Sequence, residues 1–578
     1  MTAEAMPFPA SAVHSKAIAD EGPAILPAIV MALVLFLVIR GPASLDPTNI
    51  LWLDMNDRAM HSLGWWFFRE APWGWPPGAS PNYGLELANS VALVDALPLF
   101  AFPFKLLGPW LPEYFQYWGW WHLTCFVLQA VFAVLIAHEL RLSRVIGLAA
   151  ALLCVISPAF LARLDVHMAL SGHWVLLAAI WLYVRRAPPP LWAWPLLLGT
   201  VSAIHGYLLV MVFAIYVAAI AQRLWLKSER PLRLGIEGAA VAALIVAVLW
   251  VGGIFMVSSV QSHGFGRWRM NLLGPFNPDF WSLTLPKVRT NINEWEGANY
   301  LGIGVFALLA IGLVAGGWRE LRRLVGPRFL PLVVMAVGMG VFALSHKIAF
   351  GSIELFTIPL PAWLERFLTI FRSSGRMFWP LGYLLIFFAL VLMARRFSPN
   401  WAMALCVLLA MGQLLDEQRG WRGAYIGPER TGAYWRTPLE SPIWAALAPH
   451  YDKMRSLPVE NTPRGWRPLS WYALQNGMAT ASIYLGRVDP IILAREQARG
   501  DDILDTGAFE PEALYSLDRK SAWRAMAHVG PDDVLTLVDS VYLFAPGAAP
   551  HLAAAGISWE PYTPTSLVGM PAGPAVGR

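Results

Sequence analysis

Long apolar stretches separated by polar segments of varied length fill the chain from residue 24 to residue 416. Those that predict helices are 24–40, 118–139, 145–162, 171–185, 191–205, 207–225, 235–257, 300–317, 328–345, 377–395 and 399–416. An α-helix needs about 20 mainly apolar residues to cross a hydrocarbon core about 30 Å thick. The pattern predicts a polytopic α-helical membrane protein with about eleven transmembrane helices.

Two further features decide where the chain turns. The run 191–225 lies between two basic clusters, so it has to turn back on itself, and His205 and Gly206 form its most polar and flexible break. The stretch 96–112 is also apolar, but its four prolines argue against a straight helix. We assign it to a long outer loop that lies at the membrane interface.

Composition and charge agree with this class and set the orientation. The chain is 57% hydrophobic and 14% charged, whereas soluble domains have about 25% charged residues. Cytoplasmic loops carry an excess of Lys and Arg. Basic clusters lie between the apolar stretches at Arg141/Arg144, Arg185/Arg186, Arg223 to Arg233, Arg319 to Arg328 and Arg395/Arg396. A net charge of +5 spread over such clusters predicts no nucleic-acid partner.

This orientation divides the chain into three parts. Residues 1–23 form a cytoplasmic tail, and residues 24–416 form the membrane module, with long outer loops at 41–117, 258–299 and 346–376. Residues 417–578 are mixed in composition and predict a small α/β domain on the outer side. Within it, DDVLTLVDSVYLFAP predicts strands and SPIWAALAPHYDKMRSL predicts a helix.

The first outer loop carries a group of polar residues close to the membrane. Asp54 and Asp57 are three residues apart, so on a short helix they project to one side, and Arg58 and His61 continue that face. A carboxylate placed there is a candidate general base, although a solvated helix with an Asp57–His61 contact is the simpler interpretation. Trp65 is a candidate for stacking on a sugar ring, or an interfacial anchor.

The second outer loop adds an acid and histidines. Asp165 is a candidate catalytic or metal-binding acid, and Asp54 and Asp165 are the carboxylates that a divalent cation such as Mg²⁺ or Mn²⁺ would use. His167 and His205 are candidates for contact with a substrate. Ordinary polar residues at helix ends would give the same pattern.

Basic residues mark the loop 346–376. Arg372 and Arg376 flank a Ser-Ser-Gly turn just before a helix, an arrangement suited to holding a phosphate, and Lys347 adds charge to the same loop. Anchoring to lipid headgroups is the alternative. The loop 258–299 is a candidate lid, in which Glu294 and Glu296 are either site acids or helix caps.

The order of these blocks resembles the GT-C superfamily of integral-membrane glycosyltransferases, which use sugar donors linked to polyprenyl phosphate. The local sequence is most similar to a bacterial multipass family grouped with them. The blocks that carry the resemblance are WLDMNDRAMHSLGWWFFR, NYGLE with DALPLFAFPFK, RLDVHMALSGHW, EGANYLG and FRSSGRMFWP. The resemblance covers about residues 24–416. The tail lacks a WWDYG-type block, so protein N-glycosylation is not expected.

The resemblance implies an activity and roles for particular residues. It implies an inverting hexosyl or pentosyl transfer from a polyprenyl-phosphate sugar to a glycan, lipid or protein acceptor at the periplasmic face of a bacterial inner membrane. Asp54 or Asp57 would be the base, with Asp54 slightly favoured, Asp165 the second acid, and Arg372 and Arg376 the donor-phosphate ligands. The alternative is a component of envelope polysaccharide export or polymerisation.

Overall fold

The computed structural model describes residues 22–258, 265–324 and 326–563. The helices as far as residue 225 are α1 (Ile25–Ile39), α2 (Asn56–Glu70), α3 (Pro98–Leu106), α4 (Trp118–Glu139), α5 (Arg144–Val155), α6 (Pro158–Leu161), α7 (Trp174–Val184), α8 (Ala193–Ser202) and α9 (Gly206–Trp225). Those up to residue 422 are α10 (Pro231–Val251), α11 (Ile303–Val314), α12 (Leu321–Leu324), α13 (Leu330–Ala343), α14 (Ala362–Leu368), α15 (Trp379–Arg396), α16 (Pro399–Asp416) and α17 (Gln418–Arg422).

The strands and the remaining helices follow. The helices are α18 (Pro442–Leu447), α19 (Trp466–Gln475), α20 (Pro490–Thr506), α21 (Arg519–Ala525) and α22 (Ala549–Ala554). The strands are β1 (Lys347–Phe350), β2 (Ile353–Thr357), β3 (Lys453–Leu457), β4 (Ala479–Thr480), β5 (Ala513–Leu517), β6 (Val534–Val538) and β7 (Val541–Ala545). Strands β1 and β2 form an antiparallel hairpin, and the other five strands form one sheet.

Every apolar stretch of the sequence contains a helix, but most of these helices are shorter than predicted. Within the described residues, four helical runs are long and apolar enough to cross a membrane: Trp118–Glu139, Gly206–Trp225, Pro231–Val251 and Ser374–Arg396. A fifth span is obtained if the bent pair α5 and α6 is counted as one. A helix such as α11, with 12 residues, is only about 18 Å long. The structure therefore does not support a count of eleven spans.

The two predicted turns can be compared directly with the structure. The break at His205 and Gly206 is confirmed, because α8 ends at Ser202 and the His205 ring accepts a hydrogen bond from the Tyr207 amide as the cap of α9. In 96–112 the only α-helix is α3, which has nine residues and contains Pro103. At about 13 Å, α3 is too short to cross a membrane.

The basic segments of the sequence lie together at one end of the helices, which we call the basic end. The contacts that join them are Arg144 with Gly22, Arg186 with Glu139, Gln222 with Arg328, Arg328 with Val184, and Arg395 and Arg396 with Glu320. Helix α15 ends in Arg395 and Arg396, and it begins just after Arg376. Its 18 residues separate the two ends by about 27 Å.

The C-terminal unit is α/β, as predicted. Its sheet has the order β4-β3-β5-β7-β6, with β3 parallel to β4 and β5, and β7 antiparallel to both of its neighbours. The predicted strands in DDVLTLVDSVYLFAP are β6 and β7. The helix predicted over SPIWAALAPHYDKMRSL is wrong in its second half, because α18 ends at Leu447 and residues Lys453–Leu457 form β3. There the pairing with β4 and β5 decides the structure.

The first loop packs directly on this sheet. Tyr83 forms a parallel bridge with Thr480 of β4, and the Gly84 amide donates to the Thr480 carbonyl over 2.8 Å. The Arg455 guanidinium of β3 donates two hydrogen bonds to Glu86, of 2.8 and 3.1 Å. These contacts cover the β4 edge of the sheet, which would otherwise expose unpaired backbone groups. The C-terminal unit and the first loop therefore form one packed structure.

Candidate functional site

A polar cavity lies at the end of the helices opposite the basic end. It encloses about 50 Å³. Its lining comes from both outer loops of the first half of the chain, the turn before α9, the loop before α15 and the C-terminal unit. The lining residues are Met60, Asp95, His167, His205, Tyr207, Ile370, Arg372, Ser373, Arg376, Tyr484, Gly486 and Arg487. We call this the polar cavity.

His167 links two carboxylates beside the polar cavity. Its Nδ1 lies 3.5 Å from Asp57 Oδ2, and its Nε2 lies 3.3 Å from Glu296 Oε1. Glu296 is buried and also accepts hydrogen bonds of 2.9 Å from Arg163 Nη1 and from Arg376 Nε. Burial acts to raise the pKa of Glu296, but the two guanidinium groups outweigh it and hold that pKa well below its usual range. Glu296 is thus an anionic anchor for three cationic groups or hydrogen-bond donors.

Asp95 and His205 form a second acid and imidazole pair in the cavity wall. Asp95 Oδ1 lies 3.6 Å from His205 Nε2. Burial acts to raise the pKa of Asp95, but His205 and other nearby imidazoles lower it to below its ordinary range. The Asp95 backbone has a φ of +50°, which the surrounding contacts have to maintain. Asp95 is therefore a carboxylate held in its ionised form.

The three arginines of the cavity differ in their partners. Arg376 is bound to Glu296. The Arg372 guanidinium lies over the Trp268 ring, 4.9 Å from its centroid. Within residues 22–258, 265–324 and 326–563, neither Arg372 nor Arg487 has a carboxylate within ion-pair distance. Two guanidinium groups without an anionic partner thus line the same small cavity.

Asp165 belongs to a separate cluster. One of its oxygens, Oδ1, accepts hydrogen bonds from Arg40 at 3.0 Å, Arg58 at 2.7 Å and Arg430 at 3.3 Å. Burial acts to raise the pKa of Asp165, but these arginines hold that pKa well below its usual range. Asp165 and Arg58 therefore form an ion pair with each other.

Asp54 lies beside other arginines and does not line the polar cavity. Arg467 Nη1 is 3.2 Å from Asp54 Oδ1 and donates a hydrogen bond of 2.9 Å to the Asp54 carbonyl. Burial raises the pKa of Asp54 to about 6, although Arg467 and Arg436 act in the opposite direction.

In the part of the chain that the structure describes, no group of three or more His, Cys, Asp or Glu side chains is arranged to hold a metal ion.

The other predicted site residues lie at different depths. His61 is buried behind His167, with 6.4 Å between the ring centroids, and its Nδ1 is 3.0 Å from the Val94 carbonyl oxygen. Trp65 is fully buried, and its indole donates a hydrogen bond of 2.8 Å to the Phe115 carbonyl. Trp65 therefore packs in the core and presents no face to a sugar. Lys347 is the first residue of β1 and is not part of the cavity lining.

The predicted lid, residues 258–299, contains two acids with different roles, Glu294 and Glu296. Of residues 258–299, the stretch 259–264 lies outside the described residues. Glu294 forms a capping box with Asn291 and an ion pair of 3.0 Å with Arg269. Glu296, two residues later, is the central anion of the site, so the interpretation of both acids as caps is correct only for Glu294.

The sequence does not predict three of the functional candidates, Asp95, Tyr484 and Arg487, and it leaves Glu296 open between a site acid and a helix cap. Asp95 stands among apolar residues at the end of the first loop, and Glu296 was one of two acids with the same local pattern. Tyr484 and Arg487 lie in the C-terminal unit, far along the chain from the other lining residues. A Tyr and an Arg in a loop carry no local signal, and only the packing of β4 against the first loop brings them here.

The fold and the site together define a class: a largely helical protein with four to five helices able to span a membrane, a C-terminal α/β unit and a polar cavity where the two parts meet. The chain belongs to the family described as "Domain of unknown function (DUF6311)", whose model matches residues 29–418. Residues 443–548, from α18 to the end of β7, match the DUF6311 C-terminal domain. A search of curated proteins found no match.

Proposed function

We propose that this protein is an inverting glycosyltransferase of the GT-C type, which transfers a sugar from a polyprenyl-phosphate donor to a glycan, lipid or protein acceptor. One observation carries the proposal. Carboxylates, histidines and arginines without anionic partners, drawn from distant parts of the chain, line or border one cavity at the end of the helices. A carboxylate can accept a proton from a hydroxyl, and guanidinium groups stabilise the charge of a departing phosphate.

The proposed location is a bacterial inner membrane, with the basic end and the N-terminus in the cytoplasm. The polar cavity and the C-terminal unit would then face the periplasm. The gathering of the basic segments at one end supports this orientation, because cytoplasmic segments are enriched in Lys and Arg. In this proposal the shorter apolar helices pack beside the four or five spanning ones within the bilayer.

The proposed reaction is a single displacement at the anomeric carbon. The acceptor oxygen attacks that carbon from the face opposite the phosphate and gives its proton to a carboxylate. The bond from the carbon to the phosphate oxygen breaks, and the electron pair leaves with the polyprenyl phosphate. Arg372 would meet the negative charge that develops on the leaving group, and Arg376 beside it is held by Glu296. The anomeric configuration is inverted.

Asp57 is the base in this proposal. It lies 3.5 Å from His167, a lining residue, whereas Asp165 is bound to three arginines and Asp54 lies against Arg467. Asp95 lines the cavity, but its lowered pKa makes it a weak base, because a general base is most effective with a pKa near the operating pH. Asp54 has a suitable pKa of about 6, but it does not line the cavity. Asp95 and His205 are better placed to bind sugar hydroxyls.

An apolar cavity offers a place for the lipid chain of the donor. It has a volume of about 290 Å³ and runs along α15, from Leu381 to Arg395. Leu381 is five residues beyond Arg376, about 8 Å along the helix axis. The cavity also reaches the basic end, where Glu139, Arg328 and Arg395 line it, so a polyprenyl chain would enter it beside Leu381 and extend towards that end. Helix α13 lines the other side of the cavity, through Leu332 and Ala336.

The test is a transfer assay with the purified protein in lipid nanodiscs and a panel of radiolabelled polyprenyl-phosphate sugars. We expect the wild type to release polyprenyl phosphate from at least one donor. The double variant Asp57→Asn/Asp95→Asn, which keeps the shape of both side chains, should lose at least 10²-fold in rate. No turnover of any donor, or equal rates for both proteins, would contradict the proposal. In that event envelope polysaccharide export or polymerisation becomes the better hypothesis.

A further inference from the structure

One loop of the C-terminal unit enters the polar cavity. It runs from Ala481 to Asp489, between β4 and α20, and it contributes Tyr484, Gly486 and Arg487 to the lining. Strand β4 is parallel to β3, and this loop follows its carboxyl end. In α/β domains, ligands bind beyond the carboxyl ends of parallel strands. The loop therefore has the position of a ligand-binding loop.

This loop is fixed in place from both sides. Asn461 donates a hydrogen bond of 2.9 Å to the Leu485 carbonyl and accepts one of 2.8 Å from the Leu485 amide. Asp489 Oδ2 accepts hydrogen bonds from the amide and the hydroxyl of Ser258, of 2.9 and 2.6 Å. Ser258 follows α10, so the second anchor crosses from the C-terminal unit to the membrane module. Arg487 is thus held at the cavity by its neighbours.

Of the three guanidinium groups that line the cavity, two have no carboxylate partner among the described residues. The guanidinium of Arg376 is bound to Glu296, and His205 lies beside Asp95. Arg372 and Arg487 line the same cavity, and within the described residues no carboxylate is within 4 Å of either. A partly buried guanidinium without an anionic partner is unfavourable, and phosphate oxygens match its planar set of N–H donors. Two such guanidinium groups in one cavity are suited to bind an anion together.

We propose that Arg487 of the C-terminal unit and Arg372 of the membrane module together bind the phosphate of the lipid donor. The C-terminal unit then supplies half of the donor site. Arg376 is a positioning residue, because its hydrogen bonds are used by Glu296. The pairing of the two arginines rests on the geometry alone. The identity of the molecule that carries the phosphate rests on the proposed function.

Binding of a phosphate lipid without a sugar tests this pair separately from sugar transfer. Undecaprenyl phosphate is titrated into phosphatidylcholine nanodiscs that contain the wild type, Arg372→Gln or Arg487→Gln, and its dissociation constant is measured. Inorganic phosphate is titrated in parallel. Arg519→Gln is the matched control, because Arg519 is an exposed arginine of the same unit at the start of α21. We expect each cavity variant to weaken binding about tenfold or more, and the control to bind as the wild type does.

Each outcome decides the inference. Wild-type affinity in Arg487→Gln overturns it, and so does an absence of binding of both phosphates by the wild type. If Arg487→Gln does not fold, Arg487→Lys is used instead, because it keeps the charge. An affinity of Arg487→Lys between those of the wild type and Arg372→Gln supports the pair. A wild-type affinity of Arg487→Lys overturns it. If only inorganic phosphate shows the arginine dependence, the donor-phosphate assignment is overturned. Arginine-dependent binding of the lipid without transfer of any sugar supports the pair while refuting the glycosyltransferase.

Discussion

His167 Nδ1 lies 3.5 Å from Asp57 Oδ2, and this contact joins the first loop to the second at the edge of the polar cavity. The other ring nitrogen of His167 faces Glu296, which is itself held by Arg163 and Arg376. The orientation of the proposed base therefore depends on a carboxylate that is 239 residues away in sequence (296 − 57 = 239).

Glu296→Gln should destabilise the protein and impair transfer. The substitution leaves two buried guanidinium groups without their anion, which typically costs about 3 kcal/mol or more. The free energy of unfolding can be followed by denaturant titration in detergent. The control is Glu512→Gln. The Glu512 side chain is 52% exposed, and its contact with Lys453 is long, at 3.9 Å, so its loss should change stability little. Equal stability of Glu296→Gln and the wild type would contradict the anchoring role.

Asp165→Asn should lower stability at neutral pH more than at acidic pH. The lowered pKa of Asp165 means that its contribution is complete above the unfolded-state pKa of about 3.9 and is lost as the pH falls towards the folded-state value. The difference in Tm between wild type and variant should therefore shrink below about pH 4. A difference that is constant from pH 3 to pH 7 would refute the three-arginine cluster as its cause.

Asp54→Asn should show the opposite dependence on pH. Because burial raises the pKa of Asp54 to about 6, the folded wild type binds a proton more tightly than the unfolded chain between about pH 4 and pH 6. The stability of the wild type relative to Asp54→Asn should fall as the pH rises through this window and stay level above about pH 6. Thermal unfolding of both proteins from pH 4 to pH 8 measures this, and a flat difference would show that Asp54 is not buried as described.

The orientation can be tested with reporter fusions at Gly108 and Arg141. Gly108 follows α3 on the side of the polar cavity, and Arg141 follows α4 at the basic end. An alkaline phosphatase fusion should be active at Gly108 and inactive at Arg141. Activity at Arg141 would reverse the proposed sidedness, and with it the periplasmic location of the cavity.

The sequence predicts the helices better than it predicts the site. Each of the eleven apolar runs contains a helix, and the break at His205 is correct because a polar residue and a glycine interrupt an otherwise continuous run. The length of a helix is less predictable, because an apolar run can continue beyond the end of the helix. The run 300–317, for example, contains an α-helix of 12 residues.

The site depends on contacts between distant segments, which local patterns do not encode. Asp54, Asp57 and Arg58 are all site candidates in one short segment of the sequence. In the structure Asp57 borders the polar cavity, while Arg58 is bound to Asp165. Arg487 has no local signal at all, and it reaches the cavity only because β4 pairs with the segment around Tyr83. Composition and spacing therefore indicate which loops carry chemistry, and the packing decides which side chains meet.

The most direct test is a comparison of single-turnover transfer rates for Asp57→Asn and Asp54→Asn with whichever donor the wild type uses. Both variants exchange a carboxylate for an amide of the same shape in the first loop, and the two positions are three residues apart. We expect Asp57→Asn to lose at least 10²-fold in rate and Asp54→Asn to stay within about tenfold of the wild type. A folded Asp57→Asn protein that transfers sugar at the wild-type rate would show that Asp57 is not the base.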